Sequence, residues 1–477
     1  MWINIRGGFL LKKSIALLLL VLMAFSIFAG AVMASEEKTP EEIAAEEARQ
    51  RQLAIYTLII LAGVAFFFIT ELIPLAVTAM CAPVALNLTG VLTPAQAISG
   101  LSNSNTVLFG GMFVVGAALF ETGAAGKIGD WVVSKAKGNP MLLLLGVMLI
   151  TAGLSAVLSN TGTTAVMLPL AIGIASSAGI NRSKILMPLA LAAGLGGTIT
   201  LVGTPPNLLV NGVLESGGYE AFGFFEFGVV GVPMTIVGII YLLSPIGQKL
   251  LPDRKVAEEA DAAVAAAVES ELGGIVEKPV SKQYISAAIL ICVVIIMATG
   301  IMNLTIAAIL GAIVCVLTGT IDEKKAYRSI DWTTIFLFAG MLPLADAMAQ
   351  TGAGKMIADV VIGGLGENVS PLVLMSAIFW LTCILSQFMS NTACTALFAP
   401  IALSIATGMG ASPYAVLMTT AMAASCAFAT PVGTPPNTLV LGPGGYRFND
   451  YVKIGVPLII LMYIVNIAIL PIFYPFF

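Results

Sequence analysis

Leu158–Ile174 reads LSNTGTTAVMLPLAIGI, and Met389–Ile405 reads MSNTACTALFAPIALSI. Each is followed by a second matched stretch, LVGTPPNLLV at Leu201–Val210 and PVGTPPNTLV at Pro431–Val440. Asn391 stands 231 positions after Asn160, Pro400 equally far after Pro169, and Asn437 stands 230 after Asn207. The echo extends upstream, where Leu119–Asp130 (LFETGAAGKIGD) pairs with Met348–Asp359 (MAQTGAGKMIAD). Two halves of about 230 residues turn polar and helix-breaking at matching points inside apolar sequence. That pattern points to a transporter binding site.

The composition sets the solvent. Of 477 residues, 58% are hydrophobic and 10% charged, and the mean hydropathy is +1.00. A soluble chain carries roughly a quarter charged residues. Apolar runs near the ~20-residue bilayer length recur throughout, so the chain reads as an all-α polytopic membrane protein. The net charge of −4 carries no nucleic-acid signal. Six cysteines stand singly in apolar runs with no metal-ligand spacing, and histidine is absent. Neither an intramembrane enzyme nor a resident metal is expected, and no organic cofactor. TGAAGK (Thr122–Lys127) and TGAGK (Thr351–Lys355) lack the full phosphate-loop spacing, so ATP is not the energy source.

Residues 1–34 have the form of a signal-like or first transmembrane segment. Residues 35–52 form an external acidic helix. The first repeat is expected over 53–250, with an interrupted apolar hairpin at 141–177 and a broken helix at 184–210. A cytoplasmic linker occupies 251–283. The second repeat covers 284–477, with its hairpin at 371–407 and broken helix at 413–440. All but four of the 22 lysines and arginines fall on one side of this layout, the exceptions being Lys38, Arg49, Arg51 and Lys355. The richer side is cytoplasmic by the positive-inside rule, and the two repeats then enter the membrane from opposite sides. They are inverted. Polar tips such as SNTGTT favour re-entrant hairpins, because non-helical backbone at membrane depth is tolerated only beside a cavity.

Ser, Asn and Thr are good N-caps, so a helix starting at each tip aims free N–H groups and a positive dipole end at an anion. Their oxygens, with freed carbonyls, suit a hard cation such as sodium. In GTPPN, two prolines remove two backbone donors and break the helix, while Thr204, Thr434, Asn207 and Asn437 add polar side chains. No ionisable residue belongs to either motif. Glu71, Glu121, Glu226 and Asp346 are placed near span ends, in solvated or interfacial positions.

Twin SNT motifs, each followed some forty residues later by a GTPPN break, resemble the divalent anion:sodium symporter family of di- and tricarboxylate and sulfate transporters. The resemblance covers the chain from about residue 53 to the C-terminus. It implies about 11 transmembrane helices, two re-entrant hairpins and two broken helices, in a homodimer that works by an elevator movement. Carried over by position, the first sodium site falls on Ser155, Ser159, Asn160 and Gly203, and the second on Ser386, Ser390, Asn391 and Gly433. Substrate would touch Ser159, Asn160, Thr161, Ser390, Asn391 and Thr392, with Thr204 and Thr434 beside it. The expected function is sodium-coupled import of C4-dicarboxylates such as succinate, malate and fumarate, across a bacterial-type inner membrane. The alternatives are a sodium-independent dicarboxylate exchanger and a sulfate or tricarboxylate transporter of the same fold.

Overall fold

A computed structural model describes residues 40–124, 139–254, 278–365 and 370–477. The signal-like segment 1–34 and most of the linker 251–283 lie outside the described residues. Every described regular element is helical. Six helices are long and apolar enough to cross a membrane: Ala45–Thr70, Ser99–Glu121, Val280–Thr299, Trp332–Thr351, Asn391–Gly408 and Phe448–Phe473. Shorter apolar helices include Leu75–Leu88, Gly228–Leu243 and Leu304–Leu317. Ile59, Ile240 and Leu317 stay exposed on them, as expected of faces that meet lipid.

The acidic residues from 40 to 52 do not form a helix of their own. Pro40–Thr70 is one helix of 31 residues, because no proline occurs between Pro40 and Pro74 to end it. It ends at Glu71, whose φ of 48° turns the chain towards Pro74.

The sequence repeat reappears as a repeat of helix bounds. Pro140–Ser155 and Pro371–Ser386 each have 16 residues, and Asn160–Ser177 and Asn391–Gly408 each have 18. Asn139 caps the first of these helices by accepting from the N–H groups of Met141 and Leu142, and Ser370 caps its counterpart by accepting from Leu372 N–H. Proline follows each cap at a position where its missing N–H costs nothing. Arms of this size reach about 24 and 27 Å.

Both broken helices are built alike. Leu186–Gly197 and Pro205–Ser216 flank the first break, and Pro413–Ser425 and Pro435–Leu441 flank the second. Thr204 (φ −147°, ψ 144°) and Thr434 (φ −150°, ψ 142°) are extended, as a residue before proline prefers. The asparagine of each GTPPN repairs the damage. Asn207 Nδ2 donates to the carbonyls of Thr200 (2.8 Å) and Gly197 (3.4 Å). Asn437 Nδ2 donates to those of Thr430 and Ala427, both at 2.9 Å. Close approach does the rest: a methyl group on Gly203 would lie 2.5 Å from Gly197 O, and one on Gly340 would lie 2.1 Å from Ala79 O. Small residues at such crossings let membrane helices pack backbone to backbone.

Two outcomes follow for purified protein in detergent. Asn437→Leu strips two buried carbonyls of their donor and should cost about 1–3 kcal/mol of stability. Gly340→Ala should cost a similar ~1–3 kcal/mol by overpacking. Thermal unfolding unchanged in Asn437→Leu would show that the break is satisfied in some other way.

Candidate substrate and ion site

The two tips and the two breaks meet around one cavity of about 510 Å³. Its lining includes Ser159, Asn160, Thr161 and Thr204 from the first half, and Ser390, Asn391, Thr392 and Thr434 from the second. All eight residues expected to touch substrate thus share one cavity. Gly203 and Gly433 line it as well. Ser155 and Ser386 do not, because both are fully buried beneath the tips, at the ends of the first arms.

Each tip is tied to its own break by the same contacts. The Asn160 amide places one atom 2.5 Å from Ser155 Oγ and 3.2 Å from the carbonyl oxygens of both Ala193 and Gly203. The Asn391 amide sits 2.9 Å from Ser386 Oγ, 3.1 Å from Ala424 O and 3.2 Å from Gly433 O. With the amide nitrogen at that position, the carbonyl contacts are hydrogen bonds. With the amide oxygen there, four oxygens converge. Second ties hold the assembly: Thr200 Oγ1 donates to Ala156 O, and Thr430 Oγ1 donates to Gln387 O. The symmetry is not complete. Ser159 Oγ accepts from Gly162 N–H as an N-cap, whereas Ser390 makes no side-chain cap.

The rest of the cavity is supplied by the scaffold around the tips. Phe109, Phe113 and Leu337 make apolar wall, and Thr333 and Thr334 add hydroxyls. Among the described residues its lining holds no lysine or arginine, but it does hold two carboxylates, Glu71 and Asp331. Asp331 caps the helix Trp332–Thr351, accepting from Thr333 N–H, Thr334 N–H and Thr334 Oγ1. The sequence alone gives Glu71 a solvated or interfacial position near a span end, where it is indeed exposed, and gives Asp331 no part. Neither has a signal in the repeat, since the fold alone brings them opposite the tips. The Ala193 and Ala424 carbonyls were equally invisible, because an alanine in a helix announces nothing about its backbone oxygen.

Three other acids have local partners. Glu121 pairs with Lys325 at 2.6 Å. Glu226 accepts from Tyr474 Oη at 3.3 Å. Near the far end of the broken helix, Glu215 accepts from Asn105 Nδ2 at 2.8 Å, and Asn211 Nδ2 donates to Asn105 Oδ1 at 3.2 Å.

This geometry can be set beside known proteins. The sequence model of a citrate transporter family, CitMHS, matches residues 65–421 and 393–476. An uncharacterized transporter of Haemophilus influenzae is 31% identical over 83% of this chain and 87% of its own length. Transporter YfbS of Escherichia coli, also uncharacterized, is 27% identical over 88% of this chain and 99% of its own. The sodium-dependent dicarboxylate transporter SdcS of Staphylococcus aureus is 28% identical over 84% of this chain and 82% of its own. Among solved structures, the YdaH transporter of Alcanivorax borkumensis aligns with a TM-score of 0.56 at 14% identity, covering 80% of this chain and 87% of that one. MtrF of Neisseria gonorrhoeae aligns at 0.55 and 14%, covering 97% and 94%. Likeness at that identity is a likeness of fold. With a family match running from residue 65 to residue 476, the chain belongs to the citrate transporter family and is a membrane transporter, as its twin motifs and their resemblance to divalent anion:sodium symporters led one to expect.

Proposed function

We propose that this protein couples inward sodium flow to the uptake of C4-dicarboxylates such as succinate, malate and fumarate. The observation that carries the reading is the oxygen cluster repeated at each tip. Rotating the Asn160 amide turns a hydrogen-bonded tie into a cage of Asn160 Oδ1, Ser155 Oγ, Ala193 O and Gly203 O. Asn391, Ser386, Ala424 and Gly433 offer the same cage in the second half. In that orientation the Ser155 and Ser386 hydroxyls are the only donors, each giving to its asparagine oxygen, and a cluster with so few donors for its oxygens suits a hard cation. Ser159 and Ser390, at the N-caps beside each cage, are the remaining members of the two proposed sodium sets.

Electrostatics favours the same coupling. A dianion entering a cavity lined by Glu71 and Asp331, with no basic side chain among its described lining, meets no compensating charge from the walls. Two sodium ions beside the tips would supply it. The substrate's carboxylates would then take hydrogen bonds from Ser159, Thr161, Ser390 and Thr392, while Thr204 and Thr434 bound it from the breaks. Hydroxyls and amides make such a site selective for charge and size with little chemical discrimination between dianions.

The name of SdcS supports sodium and dicarboxylate for this chain as well. In the same reading the tips and breaks move together across the membrane against the remaining helices, in a homodimer, as the family resemblance implies. The description of the matched family favours a second cargo, citrate. That makes tricarboxylate the reading to test against.

The experiment is uptake of labelled succinate into proteoliposomes, with an inward sodium gradient against a matched potassium control. Half the vesicles are preloaded with unlabelled succinate, and a parallel set receives labelled citrate. Sodium-driven uptake of succinate into empty vesicles is expected. It should fall at least about tenfold in Asn160→Ala and Asn391→Ala, as for the loss of one charged-ligand contact. Uptake that ignores sodium but needs preloaded succinate would make the protein an exchanger. Uptake of citrate alone would move the cargo to tricarboxylates.

A further inference from the structure

A second cavity of about 620 Å³ adjoins the first and shares Phe113, Ser159, Thr161, Asp331 and Pro435 with it. It runs from the first tip to the short helix Glu323–Ser329, whose basic residues the positive-inside argument places on the cytoplasmic side. The two cavities differ in charge. The central one holds only acids, whereas this vestibule also holds Lys325 and Arg328.

Lys325 is already committed. Its Nζ lies 2.6 Å from Glu121 Oε2, and the pair joins the end of the helix Ser104–Glu121 to the short helix. Asp331, the other acid of the vestibule, spends both carboxylate oxygens on capping. Arg328 is exposed, lines the cavity, and has no acid or hydrogen-bond partner among the described residues. Its fork of N–H donors matches a carboxylate in two-point geometry. Any anion passing between the cytosol and the tips through this vestibule passes a guanidinium with its donors unspent.

We propose that Arg328 forms a second, weaker carboxylate site at the cytoplasmic mouth, which holds the dianionic cargo between the tips and the cytosol. The proposal rests on the transport reading for its cargo, but its site is separate from the tips. It gives the two sides of the protein different dependence on cargo concentration, because the guanidinium steers anions on the cytoplasmic side alone. Attraction of this kind at an exposed rim acts on arrival and weakens with salt.

Two measurements test it. In purified full-length protein, the rate of phenylglyoxal modification at Arg328 is followed by peptide mass spectrometry, with succinate or with acetate at equal ionic strength. Succinate should slow the modification at least about threefold, in the wild type and in Asn391→Ala alike, since a bidentate partner shields the guanidinium. No protection by succinate, or protection lost in Asn391→Ala, would overturn the proposal. In proteoliposomes, Arg328→Gln should raise the succinate concentration for half-maximal transport from the cytoplasmic face by about three- to tenfold and leave the external value unchanged, with Arg328→Lys in between. An unchanged cytoplasmic value in Arg328→Gln would also overturn it. Failure of the wild type to carry any dicarboxylate would sink the transport reading instead, and the labelling would still decide the site.

Discussion

A helix broken at membrane depth must find partners for the backbone groups it frees, and this protein answers that requirement twice with the same residues. Asn207 and Asn437 reach back to the carbonyls on the far side of each break. Thr200 and Thr430 tie the breaks to the first arms of the hairpins. Asn160 and Asn391 bring the tips to the same place. Everything functional depends on these ties. Without them the tips would have no fixed position, and the freed carbonyls would carry the full cost of unsatisfied polar groups in hydrocarbon. The Asn160 and Asn391 amides that tie the tips to the breaks are also members of the proposed sodium sets.

Much of this was legible in the chain. The broken helices and the helix starts at Asn160 and Asn391 follow from GTPPN and SNT because those residues have specific backbone consequences: caps start helices, and paired prolines stop them. An offset of 231 between Asn160 and Asn391 predicts equivalent helices, and the helix bounds repeat at that offset. What stayed hidden was contributed by backbone or by tertiary placement. Ala193 and Ala424 meet the tips through carbonyls alone, and Glu71 reaches the cavity where the chain turns sharply. The acidic run before residue 53 continues into the first span, a continuity that charge patterning could not reveal.

The charge layout links the site to the proposed coupling. The central lining, with hydroxyls, amides and two acids, is poorly suited to a dianion alone and well suited to one accompanied by cations. In the proposed mechanism cargo and ion therefore depend on each other for binding, which is a coupling free energy between neighbouring sites. The vestibule reverses the balance with Lys325 and Arg328, so an anion would meet basic residues outside the tips and ion-filled cages at them.

The central claim is that each tip with its break forms one of two equivalent cation sites. The most direct test is the sodium-concentration dependence of succinate uptake at fixed membrane potential, in the wild type and in Ser386→Ala. The account predicts a sigmoidal dependence in the wild type, with a Hill coefficient above one, and a curve shifted to higher sodium when one cage loses its serine. Uptake with no sodium dependence, or one indifferent to Ser386→Ala, would contradict it.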